Sequence, residues 1–232
     1  MADPALILGS GYVGRRLAAA LPGVCTRRLA EAGPATLVFD LADDTTWAAL
    51  PAPGVVVWTF PAGPLAAVER FHAAYLHRAR QVIVLGSASC YRVPAPDAWV
   101  DEDAPLDSAR PRVAGEEFLR ARGATVLALA LIWGPDRSPA GWLRAGRIAN
   151  GRKYVNLCHV DDIVATVRAL LARPQPGARL IVCDGAPRRW QAWAAAYDLP
   201  APPAAPVGRE SKRLRADRLR ALLGVSHNFL RP

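Results

Sequence analysis

The 232 residues, 52% hydrophobic and 21% charged, suffice for one substantial core and are too apolar for a disordered chain. A net charge of +9 comes almost wholly from arginine, since Lys153 and Lys212 are the only lysines. The arginines are scattered, with no dense basic run interleaved with aromatics, so nucleic acid is not an expected partner.

In chain order, Ala5 to Leu8 reads as a strand and Tyr12 to Leu21 as a helix. Val24-Cys25-Thr26 and Leu37-Val38-Phe39 are further strands, followed by Val55 to Phe60. A helix is expected around Pro64 to Arg78, then a strand over Val82 to Leu85. Arg112 to Arg122 has helical spacing and Val126 to Ile132 reads as a strand. Asp161-Asp162 is placed to cap a helix that keeps Ile163, Val164, Val167, Leu170 and Leu171 on one face. Leu180-Ile181-Val182 is one more strand. Residues 199–206 form a proline-rich connector, and a short basic helix over Asp217 to Leu223 stops at Gly224. Such alternation predicts an α/β fold with a doubly wound parallel sheet, and the unbroken apolar run Val55-Val56-Val57 suits a sheet covered on both faces.

Cys25, Cys90, Cys158 and Cys183 are far apart and form no CxxC. That spacing argues against a structural metal site or a disulfide framework and fits a reducing cytosol. The first apolar stretch lacks the basic start of a secretory signal. Residues 48–68 are uncharged, but Pro51, Pro53, Gly54, Pro61 and Gly63 interrupt them, so they read as a strand with its turns and not as a membrane span. A soluble, cytoplasmic protein with no membrane partner is expected.

Gly9-Ser10-Gly11-Tyr12-Val13-Gly14 is a GxGxxG placed directly after a strand and opening a helix. Its first glycine permits the tight turn, the second lets the backbone approach a pyrophosphate, and the third lets helix and strand pack closely. The helix N-terminus then offers free N–H groups to phosphate. These features predict a Rossmann-type dinucleotide site. NAD-selective proteins of this kind carry an acidic residue after the second strand, whereas Arg27 and Arg28 stand there in this chain. An arginine can pair with a 2′-phosphate, so NADP(H) is expected in preference to NAD(H).

With these residues in place, the sequence resembles the extended and atypical short-chain dehydrogenase/reductases, the NAD(P)-dependent epimerase/dehydratase-like group, from Ala5 to about Leu223. Phe39-Asp40-Leu41 is similar to that group's aspartate-aliphatic pair, which implies that Asp40 and Leu41 meet the adenine. Thr59-Phe60-Pro61-Ala62-Gly63 stands where the group lines the cofactor, which brings in Phe60 and Pro61. Gly86-Ser87-Ala88-Ser89-Cys90-Tyr91 resembles its Ser-Ser-x-x-Val-Tyr-Gly segment, placing Ser87 at the active-site serine and beside the cofactor. Residues 100–106 resemble its acidic loop, residues 132–139 its Tyr-Gly-Pro-Gly-Arg loop, and residues 154–162 its Asn-x-x-His-Val-Asp-Asp segment. Ser211-Lys212-Arg213-Leu214 is similar to an Asn-Lys-Arg segment of some members. The resemblance implies a single Rossmann-type domain over residues 1–232. A small C-terminal substrate lobe would be drawn from about 134–160 and 185–232.

One departure matters for chemistry. Where the group's catalytic Tyr-x-x-x-Lys should open the helix after Pro111, this chain has Arg112-Val113-Ala114-Gly115-Glu116. Arginine replaces the proton-shuttling tyrosine, and glutamate replaces the lysine that lowers its pKa. The remaining candidates for catalysis are Ser87, as a hydrogen-bonding partner of the substrate, Tyr91, as a replacement acid, and Glu116, as an acid or base. Against these stand structural alternatives: Tyr91 as a packed residue, and Glu116 or Glu117 in a helical salt bridge with Arg112 or Arg120. His159 is expected to anchor a loop. Tyr154, Asn156 and Trp142 are expected to border a substrate pocket.

The expected activity is an NADP(H)-dependent oxidoreductase acting on a small carbonyl, imine or enone. The alternatives are a non-catalytic NADP(H)-binding sensor or scaffold, and an epimerase or isomerase that keeps its cofactor bound. The sequence is silent on assembly, although the resemblance is compatible with a homodimer.

Overall fold

The computed structural model describes residues 4–28 and 37–224. The chain opens with β1 (Ala5–Leu8) and turns through the glycine loop into α1 (Tyr12–Ala20). Strands β2 (Gly23–Arg27), β3 (Leu37–Val38) and β4 (Val55–Trp58) follow, then α2 (Leu65–Ala74) and β5 (Gln81–Ser87). A short β6 (Ala98–Val100) precedes α3 (Pro111–Arg120), whose first position is a proline with no N–H to leave unpaired. Next come β7 (Thr125–Leu129), β8 (Leu131–Trp133), α4 (Pro139–Arg144), β9 (Tyr154–Val155) and β10 (Leu157–His159). Then follow α5 (Val160–Ala172), β11 (Arg179–Val182), β12 (Arg188–Arg189), α6 (Trp190–Ala196), β13 (Lys212–Leu214) and α7 (Asp217–Leu223).

Seven strands form one sheet in the order β3-β2-β1-β4-β5-β7-β11. Pairing is parallel across β3, β2, β1, β4 and β5, with Ala5 opposite both Gly23 and Val55. The strand order reverses at β1, where β2 lies to one side and β4 to the other. In open α/β sheets that switch point, at the carboxyl ends of the strands, is where ligands bind. Strands β1, β4 and β7 are buried along their whole length, as expected of a sheet covered on both faces. The expected Rossmann-type α/β fold is the one observed. Phe71 of α2 anchors the aromatic part of the core, with ring centroids 5.0 Å from Phe39, 5.0 Å from Trp47 and 5.3 Å from Tyr75.

Two elements differ from expectation. The run 126–132 is not one strand, because the backbone bonds change partner at Ala130. Its N–H donates to Val182 at 3.0 Å, whereas the next N–H, of Leu131, donates to Asn156 at 3.0 Å. Strand β7 therefore stays in the large sheet, and β8 leaves to pair with β10. The helix expected to Arg78 stops at Ala74 and ends in a separate 3-10 turn over Leu76–Arg78.

The chain divides into two compact units. The first takes Met1–Cys90, Asp107–Ala128 and Val164–Leu180; the second takes Tyr91–Leu106, Leu129–Ile163 and Ile181–Pro232. The segments 134–160 and 185–224 fall in the second unit, which also takes in 91–106, 129–133, 161–163 and 181–184; residues 225–232 lie outside the described residues. It contains three small pairings, β8 with β10, β9 with β12 and β6 with β13. Its apolar cluster joins Val155, Leu157 and Trp190 with Trp133, Trp142, Leu143, Ile148 and Trp193. Among the described residues no helix is long and apolar enough to cross a membrane.

Candidate functional site

The glycine loop is built by close approaches that only glycine allows. Gly9 has a φ of +100°, and a side chain on it would stand 2.7 Å from the Thr59 hydroxyl. A Cβ on Gly14 would collide with the Gly9 carbonyl oxygen, so α1 could not sit as close to β1. Thr59 fixes the turn from the other side, its hydroxyl donating to the carbonyls of Leu8 at 2.8 Å and Gly9 at 3.1 Å. The Gly9 N–H donates to the Thr26 hydroxyl at 3.1 Å. Gly11 differs from both neighbours: a Cβ there would meet nothing within 4 Å. Gly11 also precedes α1 as an N-cap with no side-chain hydrogen bond, which leaves the first N–H groups of the helix without a side-chain cap.

Beside this turn lies a cavity of about 460 Å³, within the size range of small-molecule pockets. It gathers Gly9, Arg27, Arg28, Asp40, Leu41, Phe60 and Pro61 of the sequence-expected cofactor residues, and adds Ser10, Thr26 and Gly63. Gly11, Tyr12, Val13, Gly14 and Ser87 are not on its wall. The Tyr12 ring carries the Arg16 guanidinium 3.9 Å from its centroid, while Val13 and Gly14 are buried in the helix packing. Asp40 is fixed by local bonds: its N–H donates to the Thr46 hydroxyl at 3.0 Å, and its carbonyl accepts the Trp47 indole N–H at 2.9 Å. The Arg28 guanidinium stands 3.8 Å from the Asp40 carboxylate, with 79% of the Arg28 side chain exposed. The open approach at Gly11, the helix N-terminus and the two arginines fit a phosphate-bearing dinucleotide.

At Arg112 and Glu116, where the sequence resemblance would put a Tyr/Lys pair, the structure holds a partly buried chain of ions. Glu116 is fully buried, accepts Arg112 Nε at 2.6 Å on one carboxylate oxygen and accepts Arg179 Nη1 at 3.1 Å on the other. Arg179 continues to Glu117 at 2.7 Å, and Arg120 closes on Glu117 through Nη2 at 2.7 Å and Nε at 2.8 Å. Arg179 Nη1 also donates to the Cys90 sulfur at 3.5 Å. Burial raises the Glu117 pKa, but Arg120 and Arg179 outweigh it and hold the carboxyl below its ordinary value. Burial likewise works against the Arg179 charge, yet Glu117, Cys90 and Glu116 together raise its pKa. Gly86 makes room for the arrangement, since a Cβ there would stand 3.0 Å from both Glu116 oxygens. Glu116 is therefore placed as the centre of a salt-bridged cluster, with each oxygen already paired. The partner that sequence reasoning missed is Arg179, which lies 63 positions from Glu116.

Ser87 ends β5 half-buried. Its hydroxyl lies 2.9 Å from that of Ser89 and accepts the Ser89 N–H at 3.2 Å.

The other expected residues belong to the second unit. Tyr91 is buried and bridges to Leu106. Asn156 is committed to the backbone: its amide donates to the Lys212 carbonyl at 2.9 Å and its oxygen accepts the Leu214 N–H at 2.7 Å. Tyr154 lies under Arg189, with the guanidinium 4.4 Å from its ring centroid. Trp142 packs in the apolar cluster, 6.1 Å from Trp190. The His159 ring meets Trp133 edge-on at 4.7 Å, and its Nδ1 accepts the Asp161 N–H at 3.2 Å in the first turn of α5, a structural placement. An unforeseen junction centres on Asp97, whose carboxylate accepts Arg189 at 2.7 Å and the Ser211 hydroxyl.

No protein-family model matches the sequence, and no curated protein matches it. Solved structures do. A functionally unknown conserved protein from Silicibacter pomeroyi is 28% identical over 97% of this chain and 94% of that one, with a TM-score of 0.70. A provisionally assigned NAD-dependent epimerase/dehydratase from Methylobacillus flagellatus is 23% identical over 95% and 92%, with a TM-score of 0.74. A short-chain dehydrogenase/reductase superfamily protein from Agrobacterium tumefaciens, solved with bound NAD, is 17% identical over 98% and 93%, with a TM-score of 0.73. The chain shares the fold of these proteins over nearly its whole length.

Proposed function

We propose that this chain is an NADP(H)-dependent oxidoreductase of atypical short-chain dehydrogenase/reductase type, acting on a small carbonyl, imine or enone substrate. The observation that supports it most is the cavity at the sheet's switch point, with the open Gly11 turn beside it and Arg27 and Arg28 in its wall. Hydride transfer is the chemistry a nicotinamide supplies when bound. Gly9 to Gly14 and the first turn of α1 would hold the pyrophosphate, Asp40 and Leu41 the adenine, and Ser87 would hydrogen-bond the substrate.

Magnitudes favour the phosphorylated cofactor. The Arg28–Asp40 pair is long and exposed, and such surface pairs contribute about 0–1 kcal/mol. A hydrogen bond to a charged phosphate contributes about 1.5–3 kcal/mol, enough to turn Arg28 away from Asp40. Calorimetric titration with NADPH and NADH tests this directly. The wild type is expected to prefer NADPH, and Arg27→Ala should weaken NADPH by roughly tenfold or more while leaving NADH nearly unchanged. Equal loss for both nucleotides would remove the case for NADP selectivity.

A second reading, a non-catalytic NADP(H)-binding sensor, draws support from Glu116. A carboxylate paired through both oxygens and fully buried is poorly placed to carry protons. Steady NADPH consumption with any small carbonyl, imine or enone decides for the enzyme.

A further inference from the structure

The ion cluster on α3 has one loose end. Three guanidiniums, of Arg112, Arg179 and Arg120, face two carboxylates, of Glu116 and Glu117, so one positive charge is left over. Arg120 uses all three of its nitrogens, on Glu117 and on the Gly177 carbonyl. Arg179 is 6% exposed and spends both terminal nitrogens on Glu116, Cys90 and Glu117; its Nε is sealed in without a partner. Arg112 spends Nε on Glu116 and Nη2 on the Leu85 carbonyl at 3.1 Å. Its Nη1 has neither a partner nor full burial, and 22% of the side chain is exposed. Arg112 thus holds one N–H₂ group rigidly in place, without a partner and open to solvent.

Its location points to a ligand. Arg112 is held to β5 two residues before Ser87, at the carboxyl end of that strand. The preceding residue, Pro111, abuts the cavity wall, its carbonyl lying 3.5 Å from where a Cβ on Gly63 would be. We propose that Arg112 binds the carboxylate of a small substrate, so that the molecules this protein takes are monoanionic acids. A planar guanidinium held by Glu116 and Leu85 loses little freedom on meeting a planar carboxylate, and one surplus charge matches one anion. This inference rests on the cavity being the cofactor site and adds the class of substrate.

Saturation-transfer NMR on the full chain, with and without NADP⁺, would measure binding of benzoate and of neutral methyl benzoate. Benzoate is expected to bind at least roughly tenfold more tightly than the ester, and Arg112→Gln should abolish that preference. Arg112→Lys keeps the charge and loses the fork, so it should retain the preference with benzoate affinity reduced about threefold or more. That second variant carries the test should R112Q fail to fold. Equal binding of acid and ester, unchanged benzoate affinity in both variants, or no benzoate binding at all overturns the proposal. A parallel NADPH titration separates the other source of an anion: tenfold weaker NADPH in R112Q would assign the group to the cofactor's phosphates and overturn the substrate assignment. Failure of the wild type to bind NADPH would strike the reading of the cavity alone, because the benzoate arm is also read on the cofactor-free chain.

Discussion

The glycine turn and the first two turns of α3 both stand at carboxyl ends of sheet strands, and they have been treated oppositely. At the turn, what matters is missing matter: no side chain on Gly9, Gly11 or Gly14, and open space in front of Gly11. On α3 the space is filled, with Glu116 fully buried between two arginines. Where the sequence resemblance would put a proton-transfer pair, the structure has a salt-bridged cluster, while the glycine turn stays open at Gly11. Open backbone and packed ions are thus separable demands on the same scaffold.

The largest effect expected of a single substitution tests the filled side. Glu116→Ala would strand Arg112 and Arg179 together, and breaking a buried pair by removing one partner costs about 3–5 kcal/mol. Urea unfolding should show that loss; a change under about 1 kcal/mol would mean the cluster contributes little to stability. Next comes the open side. Gly14→Ala forces a methyl group into the Gly9 carbonyl, which should cost about 1–3 kcal/mol and weaken NADPH binding together with stability. Stability lost with affinity intact would separate the turn from the cofactor.

The smallest effect concerns acid. The Glu117 pKa is lowered in the folded protein, so the unfolded chain binds protons first as pH falls. The resulting stabilisation is fully present above the ordinary value of 4.5 and is lost as pH drops through the folded value. Glu117→Gln should therefore flatten the acid limb of the stability profile below pH 4.5, and an unchanged limb would show that Arg120 and Arg179 do not hold that carboxyl.

The sheet was legible because each strand announces itself locally. Ala5 to Leu8 and Val55 to Val57 are apolar without a break, and the GxGxxG sits between a strand and a helix, as its sterics require. The pairing of Arg112 with Glu116 was also legible, at helical spacing. Arg179 was not, because nothing near it in the chain marks it as the partner of a residue 63 positions earlier. The second unit hid for another reason. Strands β9 and β12 have two residues each, too few to show a period, and side chains organise their surroundings: Asn156 ties down Lys212 and Leu214, and Asp97 ties down Arg189 and Ser211. Asn156 in particular looked like a pocket residue, yet both ends of its amide are spent on backbone.

Each compact unit is stitched from three separated stretches of chain. During synthesis β1 to β5 are delivered by residues 5–87, but the sheet's far edge, β11, arrives only with residues 179–182. Until then β7 has no partner on its outer side, and Glu116 waits for Arg179. Neither unit can be cut out as a contiguous fragment, so a truncation that removes one also cuts into the other.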